Sequence, residues 1–339
     1  MRREWFLLAA GLIMTSDAGA DEPIKRYEVV TPKGVGIEVS GMNGRGEVVG
    51  FEWADDKDHP GVVEQRPFLA RGREMTYLPL LEGYTATFPA AVSDDGLVVG
   101  RASKPAPPGA RVPMRNQAFL WDAKAGIRGL GVVEEDRASF ACGVARDGRR
   151  ISGFSVGDDR VRACVWEREG DGWKATALPH ASRLGSNTVA ISVDGRYVAA
   201  VDGASPCLWT RGASGEWSRE VIGDAGSLIP RAVNDSGTVV GLQSTGDGLT
   251  HAVIWSRDAG GRRLEKPEGY VRSEALAVNN AGTVVGLVDG PTGTDVGPNA
   301  FVFEGGRLRL LVEGGPSFAS ATAINDLGQV AGVMEEREP

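Results

Sequence analysis

The sequence predicts an all-β fold, a seven-bladed β-propeller of repeats of about 47 residues that is closed by the N-terminal strand. The main observation is a segment that recurs seven times: a short apolar stretch, a polar turn with a glycine, then a valine-rich stretch. Its clearest copies are residues 232–241 (AVNDSGTVVG) and 277–286 (AVNNAGTVVG). The turn glycines lie 42 to 52 residues apart and are Gly46, Gly96, Gly148, Gly195, Gly237, Gly282 and Gly328. A period in this range along a whole chain is typical of repeat folds.

Each repeat divides into four short strands, A to D in chain order. The recurring segment supplies strands A and B, and Asn, Asp and Gly between them favour a tight hairpin. Strand C carries a second signature, as in residues 117–121 (QAFLW) and 251–255 (HAVIW), and strand D is a shorter apolar stretch such as residues 127–133. No segment keeps a 3.6-residue period over several turns, so we expect little helix.

The strand count predicts how the ring closes. Seven A–B pairs are present but only six C–D pairs, because the chain ends soon after the seventh B strand. The segment Ile24–Val30 alternates like a strand and precedes the first A strand. We expect it to complete the last blade as its outer strand, which removes open sheet edges. A six-bladed ring and an open β-solenoid are the alternatives.

The N-terminus has the pattern of a secretory signal peptide over residues 1–20. Arg2 and Arg3 precede an apolar run over residues 5–14, and Ala18-Gly19-Ala20 is a small-residue cleavage site. We therefore expect one propeller domain over residues 21–339, exported to the periplasm or the outside of a bacterium. No other apolar run approaches the roughly 20 residues of a membrane-spanning helix.

Charge and cysteine content exclude some functions. The net charge is −8 and the pI about 5.2, with no stripe of Lys and Arg, which argues against nucleic-acid binding. Three cysteines are present, so at least one is unpaired within the chain. Cys164 and Cys207 occupy the apolar slot that holds Phe119 in another C strand. They are expected to be small buried hydrophobic residues, with a disulfide as the alternative.

Together the two signatures resemble those of the bacterial extracellular HAF-repeat proteins. The resemblance covers residues 24–335 and is most specific in the second, fifth, sixth and seventh repeats. The residues behind the name survive in part, as His251-Ala252-Val253 and Asn299-Ala300-Phe301. The resemblance implies an exported repeat protein with a propeller fold. It implies no functional residue.

No motif for catalysis, metal or cofactor stands out, so none is expected. The three histidines, His59, His180 and His251, are too scattered for a metal cluster. The Asp-rich turns lack the glutamate of a calcium loop and recur in every repeat, as structural hairpins do. Tryptophans recur at one strand position, where packing between blades is favoured over a sugar-stacking platform. They are Trp121, Trp166, Trp209 and Trp255.

Loop length gives the functional prediction. The long polar B–C loops and the D–A loops leave the blades on one face, opposite the A–B turns, and insertions on one face are typical of a binding surface. We therefore expect a non-enzymatic binding module for a protein or glycan, with a propeller hydrolase or lyase and a plain envelope scaffold as alternatives. The predicted binding residues are Tyr84, Glu135, Arg137, His180, Arg183, Tyr270 and Arg272. The enzyme alternative would use Glu135, Arg137, His180 or Arg183.

Overall fold

A computed structural model describes residues 36–55, 63–106, 114–180, 189–224, 226–291, 293, 297–312 and 318–335. The predicted signal peptide and the segment Ile24–Val30 lie outside these residues. The described part of the chain is all-β: it contains 26 strands and no helix. The strands form seven antiparallel sheets in chain order, six of four strands and one of two.

The first three blades have the following strands. Blade 1 has β1 (Gly36–Met42), β2 (Val48–Asp55), β3 (Val63–Arg71) and β4 (Glu74–Tyr77). Blade 2 has β5 (Ala86–Val92), β6 (Val98–Pro105), β7 (Met114–Asp122) and β8 (Gly126–Gly129). Blade 3 has β9 (Ala138–Val144), β10 (Arg150–Val156), β11 (Val161–Glu169) and β12 (Gly172–Ala177).

The remaining sheets follow the same order. Blade 4 has β13 (Val189–Ile191), β14 (Tyr197–Asp202), β15 (Ser205–Arg211) and β16 (Trp217–Val221). Blade 5 has β17 (Ile229–Val233), β18 (Val239–Ser244), β19 (Thr250–Ser256) and β20 (Gly260–Arg263). Blade 6 has β21 (Arg272–Val278), β22 (Val284–Asp289), β23 (Asn299–Glu304) and β24 (Arg307–Leu310). The two-stranded sheet has β25 (Phe318–Ile324) and β26 (Val330–Glu335).

The core lies between neighbouring sheets. Val49 and Leu69 of blade 1, for example, pack with Val98 and Phe119 of blade 2. Trp121, Trp166 and Trp209 are buried, as expected of a position that packs blades together, and Trp255 is half-buried. The three cysteines form no disulfide, and Cys164 and Cys207 are fully buried.

A β-bulge in the inner strand explains the glycine that ends each Val-Val-Gly. In six sheets the register between the inner two strands skips one inner residue. The glycine faces this bulge so closely that a Cβ atom there would lie 1.9–2.1 Å from a carbonyl oxygen of the inner strand. The glycines are Gly50, Gly100, Gly153, Gly241, Gly286 and Gly332. In the fourth repeat Ala200 takes this position, and its described inner strand pairs without a skip.

The A–B turns form a closed ring of hydrogen bonds. Asn234 Nδ2 donates to Asn279 O (3.0 Å), and Asn279 Nδ2 donates to Asn325 O (3.2 Å). Asn325 Nδ2 then donates to Asn43 O (3.1 Å), which joins the seventh repeat to the first. Backbone or side-chain hydrogen bonds also link each of the remaining pairs of successive turns. The recurring Asn thus fixes both its own turn and the next repeat.

The expectation of seven blades is wrong. The structure has six blades, as in the six-bladed alternative. Six repeats form four-stranded blades, while the seventh repeat contributes only the two-stranded sheet. That sheet contacts β21, β22 and β23 on one side and β1 on the other, so it lies in the ring between blades 6 and 1. Its hairpin cannot form a blade because the described residues supply it with no C or D strand. The open solenoid is excluded by the ring of turns.

Candidate functional site: the central channel

Inner strands of all seven repeats surround a central channel. Next to the A–B turns it holds a cavity of about 220 Å³. Its wall is mostly backbone and small side chains, so its chemistry depends on a few long side chains near its ends. Each inner strand runs towards an A–B turn. We call the end at these turns the turn mouth and the opposite end the loop mouth.

Arg146 crosses the turn mouth. Its Nη2 lies 2.6 Å from Asp326 Oδ2, and its Nε lies 3.2 Å from Asp94 Oδ2. Arg146 belongs to the third repeat and Asp326 to the seventh, and these repeats lie on nearly opposite sides of the ring. The guanidinium therefore spans the opening and compensates two of the carboxylates around it.

The remaining polar groups at the turn mouth hold one another. Asn280 Nδ2 donates to Asp235 Oδ2 (2.7 Å) and to Asp326 Oδ2 (2.9 Å), and the backbone N–H of Asp194 donates to Asp235 Oδ1 (2.8 Å). Burial raises the pKa of Asp235, and the nearby Asp194 carboxylate adds to this effect. Among the described residues, no group of three or more His, Cys, Asp or Glu is placed to hold a metal ion.

The loop mouth carries a different set of side chains at the boundary of blades 1 and 2. We name this set the aromatic corner: Glu38, Phe51, Trp53, Phe88 and Arg101. The Phe51 ring meets Trp53 edge-on at 5.6 Å between centroids and Phe88 edge-on at 6.3 Å. The Arg101 guanidinium lies 4.4 Å from the Phe88 ring centroid. Trp53 is 41% exposed, so part of the indole is free for a ligand.

Glu38 differs from the other channel carboxylates because its side chain has no partner among the described residues. Its side chain is exposed and makes no hydrogen bond or ion pair with any described residue. Partial burial raises the pKa of its carboxyl. On the other side of the ring, Glu274 is paired with Arg231, whose Nη2 lies 2.6 Å from its Oε1. The loop mouth thus offers one uncompensated carboxylate beside exposed aromatic surface.

The predicted binding residues do not form one cluster. Arg183 lies outside the described residues. Glu135 and His180 are exposed, on the loops after blades 2 and 3. Arg137 is paired with Asp158 (2.6 Å). No hydrogen bond or ion pair joins any two of the six described residues, so their role in binding stays a prediction.

The two predicted tyrosines and Arg272 are mainly held within their own blades. Tyr84 packs against the core between blades 1 and 2, and its hydroxyl donates to Gln117 Oε1 (2.7 Å). Burial raises the pKa of Tyr84. Tyr270 packs against the core between blades 5 and 6. Arg272 Nη1 lies 3.8 Å from Asp289 Oδ2 on the neighbouring strand.

A buried ion pair fixes the loop that carries Glu135 and Arg137. Arg162 Nη2 lies 2.9 Å from Asp136 Oδ2, and Arg162 Nη1 lies 2.9 Å from Glu134 Oε2. The Asp136 side chain is fully buried, and Glu134 has a φ of 48°, unusual for a residue with a Cβ. These groups compensate one another, so they hold the loop in place.

His251 is held by a neighbour. Its Nδ1 lies 3.0 Å from Lys266 Nζ. Burial and the nearby cationic side chains lower the pKa of His251.

No helix of the described residues is long and apolar enough to cross a membrane.

Sequence reasoning missed the aromatic corner because the repeat pattern drew attention to loops. Phe51 and Trp53 follow the first Val-Val-Gly, inside a strand, where the fifth and sixth repeats have aliphatic or polar residues. The signal that could have found Trp53 is its departure from the repeat, because no other repeat has an aromatic residue at that position. Packing that all repeats share does not explain such a residue. The position of Phe51, by contrast, also holds an aromatic residue, Phe154, in the third repeat.

Comparisons with known proteins support the fold and leave the family open. No protein-family model matches the chain, and no curated protein matches it. The structure is similar to the β-propeller domain of the Trilobed protease from Pyrococcus furiosus (TM-score 0.57, 10% identity, 88% of this chain and 90% of that one). It is also similar to puromycin hydrolase (TM-score 0.55, 13% identity, 92% and 54%). Acylaminoacyl peptidase from Pyrococcus horikoshii is similar too (TM-score 0.53, 10% identity, 86% and 48%).

These similarities, with the closed ring of sheets, define the chain as a β-propeller. It spans about half the length of puromycin hydrolase and of acylaminoacyl peptidase. At such low identities the likeness concerns the fold alone.

Proposed function

We propose that this chain is a non-enzymatic binding propeller that takes a protein or glycan partner at the loop mouth of its channel. The observation that carries the proposal is the aromatic corner, where Trp53 is 41% exposed beside the unpaired Glu38. Exposed aromatic rings next to free polar groups are typical of binding surfaces, since the ring supplies contact area and the polar group supplies direction. The turn mouth, by contrast, is spanned by Arg146 and its two carboxylates.

The alternative is a propeller hydrolase or lyase with its site at the channel mouth. Three similar structures carry protease, hydrolase or peptidase in their names, but this chain covers only about half of two of them, and the third is itself a propeller domain. In the described residues the pKa of the Glu38 carboxyl at the loop mouth is raised, and no hydrogen bond or ion pair joins its side chain to a nucleophile or a second acid. The arrangement favours binding.

The test is a binding screen of the purified chain against peptide and glycan arrays, with activity assays on the same compounds. We expect ligand capture without turnover, and we expect Trp53→Ala to weaken capture by about tenfold or more. The matched control is Leu327→Ala, which removes an exposed large apolar side chain (64% exposed) at the turn mouth. Turnover of any captured compound, or equal capture by both variants, would contradict the proposal.

We also infer that the chain is exported, as its N-terminal pattern and its resemblance to the HAF-repeat proteins suggest. Mass spectrometry of the protein from a bacterial periplasm should give a chain that begins at Asp21. A chain that retains Met1 would contradict this inference.

The segment Ile24–Val30 is further proposed to close the ring beside β26, which pairs only with β25 in the described chain. Its deletion should lower the melting temperature.

A further inference from the structure

The aromatic corner has a shape set by the register of β1 and β2. Gly36 lies opposite Trp53, and Glu38 lies opposite Phe51. Residues opposite each other share one face of a sheet, and diagonal neighbours on that face are about 7–8 Å apart. Glu38 and Trp53 are such diagonal neighbours. Because Gly36 has no side chain, the inner-strand residue opposite Trp53 does not cover the indole.

Charge decides which ligand suits this corner. The register places the Glu38 carboxylate beside Phe51 and Trp53, and no cation of the described residues pairs with it. Arg101, the cation of the corner, is held over the Phe88 ring and makes no ion pair with Glu38. A cationic ligand would make two favourable contacts here. It would donate charge-assisted hydrogen bonds to the carboxylate, and it would lie against the face of the indole, the best cation–π acceptor among side chains. A neutral sugar could stack on the ring but would leave the carboxylate uncompensated.

We propose that Glu38 and Trp53 form a binding site for one ammonium or guanidinium group, carried by a Lys or Arg side chain of a peptide or protein ligand. This inference rests on the proposed function and names its ligand class. The net charge of −8 adds a weak long-range attraction for basic partners. Phe51 meets the Trp53 indole edge-on and packs in turn against Phe88, so the boundary of blades 1 and 2 supports the indole.

The test uses three acetylated, amidated pentapeptides, Gly-Gly-X-Gly-Gly, in which X is Lys, Arg or the neutral norleucine. Binding is followed by NMR through the tryptophan indole N–H signals of the full chain. We expect the Lys and Arg peptides to bind about tenfold or more tightly than the norleucine peptide. Glu38→Gln and Trp53→Leu should each lower the affinity for the Lys peptide by about tenfold. Thermal unfolding is used first to confirm that both variants are folded. Glu74→Gln, at an exposed carboxylate on the outer strand of blade 1, is the matched control and should bind as the parent does.

The salt dependence of the affinity is a second test of the same contact. Affinity for the Lys peptide should fall between about 50 mM and about 500 mM salt, while the weak norleucine binding should not. Equal binding of the Lys and norleucine peptides, or unchanged affinity in Glu38→Gln, would overturn the inference.

A neutral oligosaccharide such as maltohexaose separates this inference from the proposed function. If it binds in a Trp53-dependent way and the Lys peptide does not, the cation site is wrong and the binding propeller stands. If no arrayed compound binds through Trp53, both fail.

Discussion

Arg146 Nη2 lies 2.6 Å from Asp326 Oδ2, so one ion pair joins the third and seventh repeats across the turn mouth. Most other links between repeats in this structure join neighbours in the ring. This contact is therefore a marker of ring closure. It also compensates a carboxylate that the hydrogen-bonded turns hold close to the channel.

The first prediction concerns the strength of this bridge. Arg146→Ala should lower the free energy of unfolding by no more than about 1 kcal/mol, because the Arg146 side chain is 46% exposed and solvent screens the pair. A double-mutant cycle with Asp326→Ala, by urea unfolding at low and high salt, measures the coupling. Arg137→Ala, which removes an exposed pair with Asp158 on a loop, is the control. A loss of several kcal/mol would mean that the bridge, and not the turns, holds the ring together.

The second prediction concerns the hydrogen bond that closes the ring. Asn325→Ala should cost about 1–3 kcal/mol, because it removes the donor to Asn43 O and leaves turn N–H groups unpaired. Urea unfolding measures the difference. Leu327→Ala changes an exposed residue of the same turn and should stay within about 0.5 kcal/mol. Similar losses in both variants would show that the turn as a whole, and not the closing contact, carries the stability.

The repeat pattern predicted the class of fold because each local signal had one meaning. The Asn-x-x-Gly turns and Val-Val-Gly strands favour short hairpins, and their period is typical of repeat folds such as a propeller. The number of blades was missed because the A–B hairpin was counted as evidence for a complete blade. In the seventh repeat that hairpin folds without described C and D strands. Outer strands were also predicted longer than they are: residues 127–133 were expected where β8 is Gly126–Gly129.

The site was harder to predict from the sequence because it depends on side chains that the ring brings together. Phe51 and Phe88 belong to successive repeats and meet only across a blade boundary. Arg146 and Asp326 are 180 residues apart in the sequence and meet only across the turn mouth. Tyr84 looked like a surface residue, yet packing and its hydrogen bond to Gln117 hold it against the blade core.

The third prediction tests the bulge that shapes the channel wall. Gly241→Ala would place a Cβ atom 2.0 Å from Ile229 O, so the inner strand of blade 5 must move. We expect a loss of at least about 2 kcal/mol in urea unfolding, as for overpacked cores. Gly261→Ala in the same blade is the control, since its Cβ would meet only a Trp255 ring atom at 3.6 Å, an ordinary contact. If Gly241→Ala were neutral, the inner strand would not need its bulge.

The fourth prediction uses the unpaired carboxylate of the loop mouth. The pKa of Glu38 is raised in the folded chain, so the fold favours the protonated form. The stability that this preference contributes is present below the pKa of the unfolded chain, and it is lost as the pH rises through the folded pKa. Glu38→Gln, which mimics the protonated group, should therefore melt at a higher temperature than the parent near pH 7. The difference in melting temperature should shrink as the pH falls towards about 4, where the Glu38 carboxyl begins to protonate in the unfolded chain as well as in the folded one.

Calorimetry at both pH values checks this difference, with Glu74→Gln expected to show none of it. A cost in stability from the Glu38 carboxylate would fit a residue kept for binding, because functional sites commonly retain groups that the fold alone would not select. If Glu38→Gln were less stable than the parent at pH 7, the carboxylate would have a stabilising partner in solution. The site would then no longer have a free charge to offer a ligand.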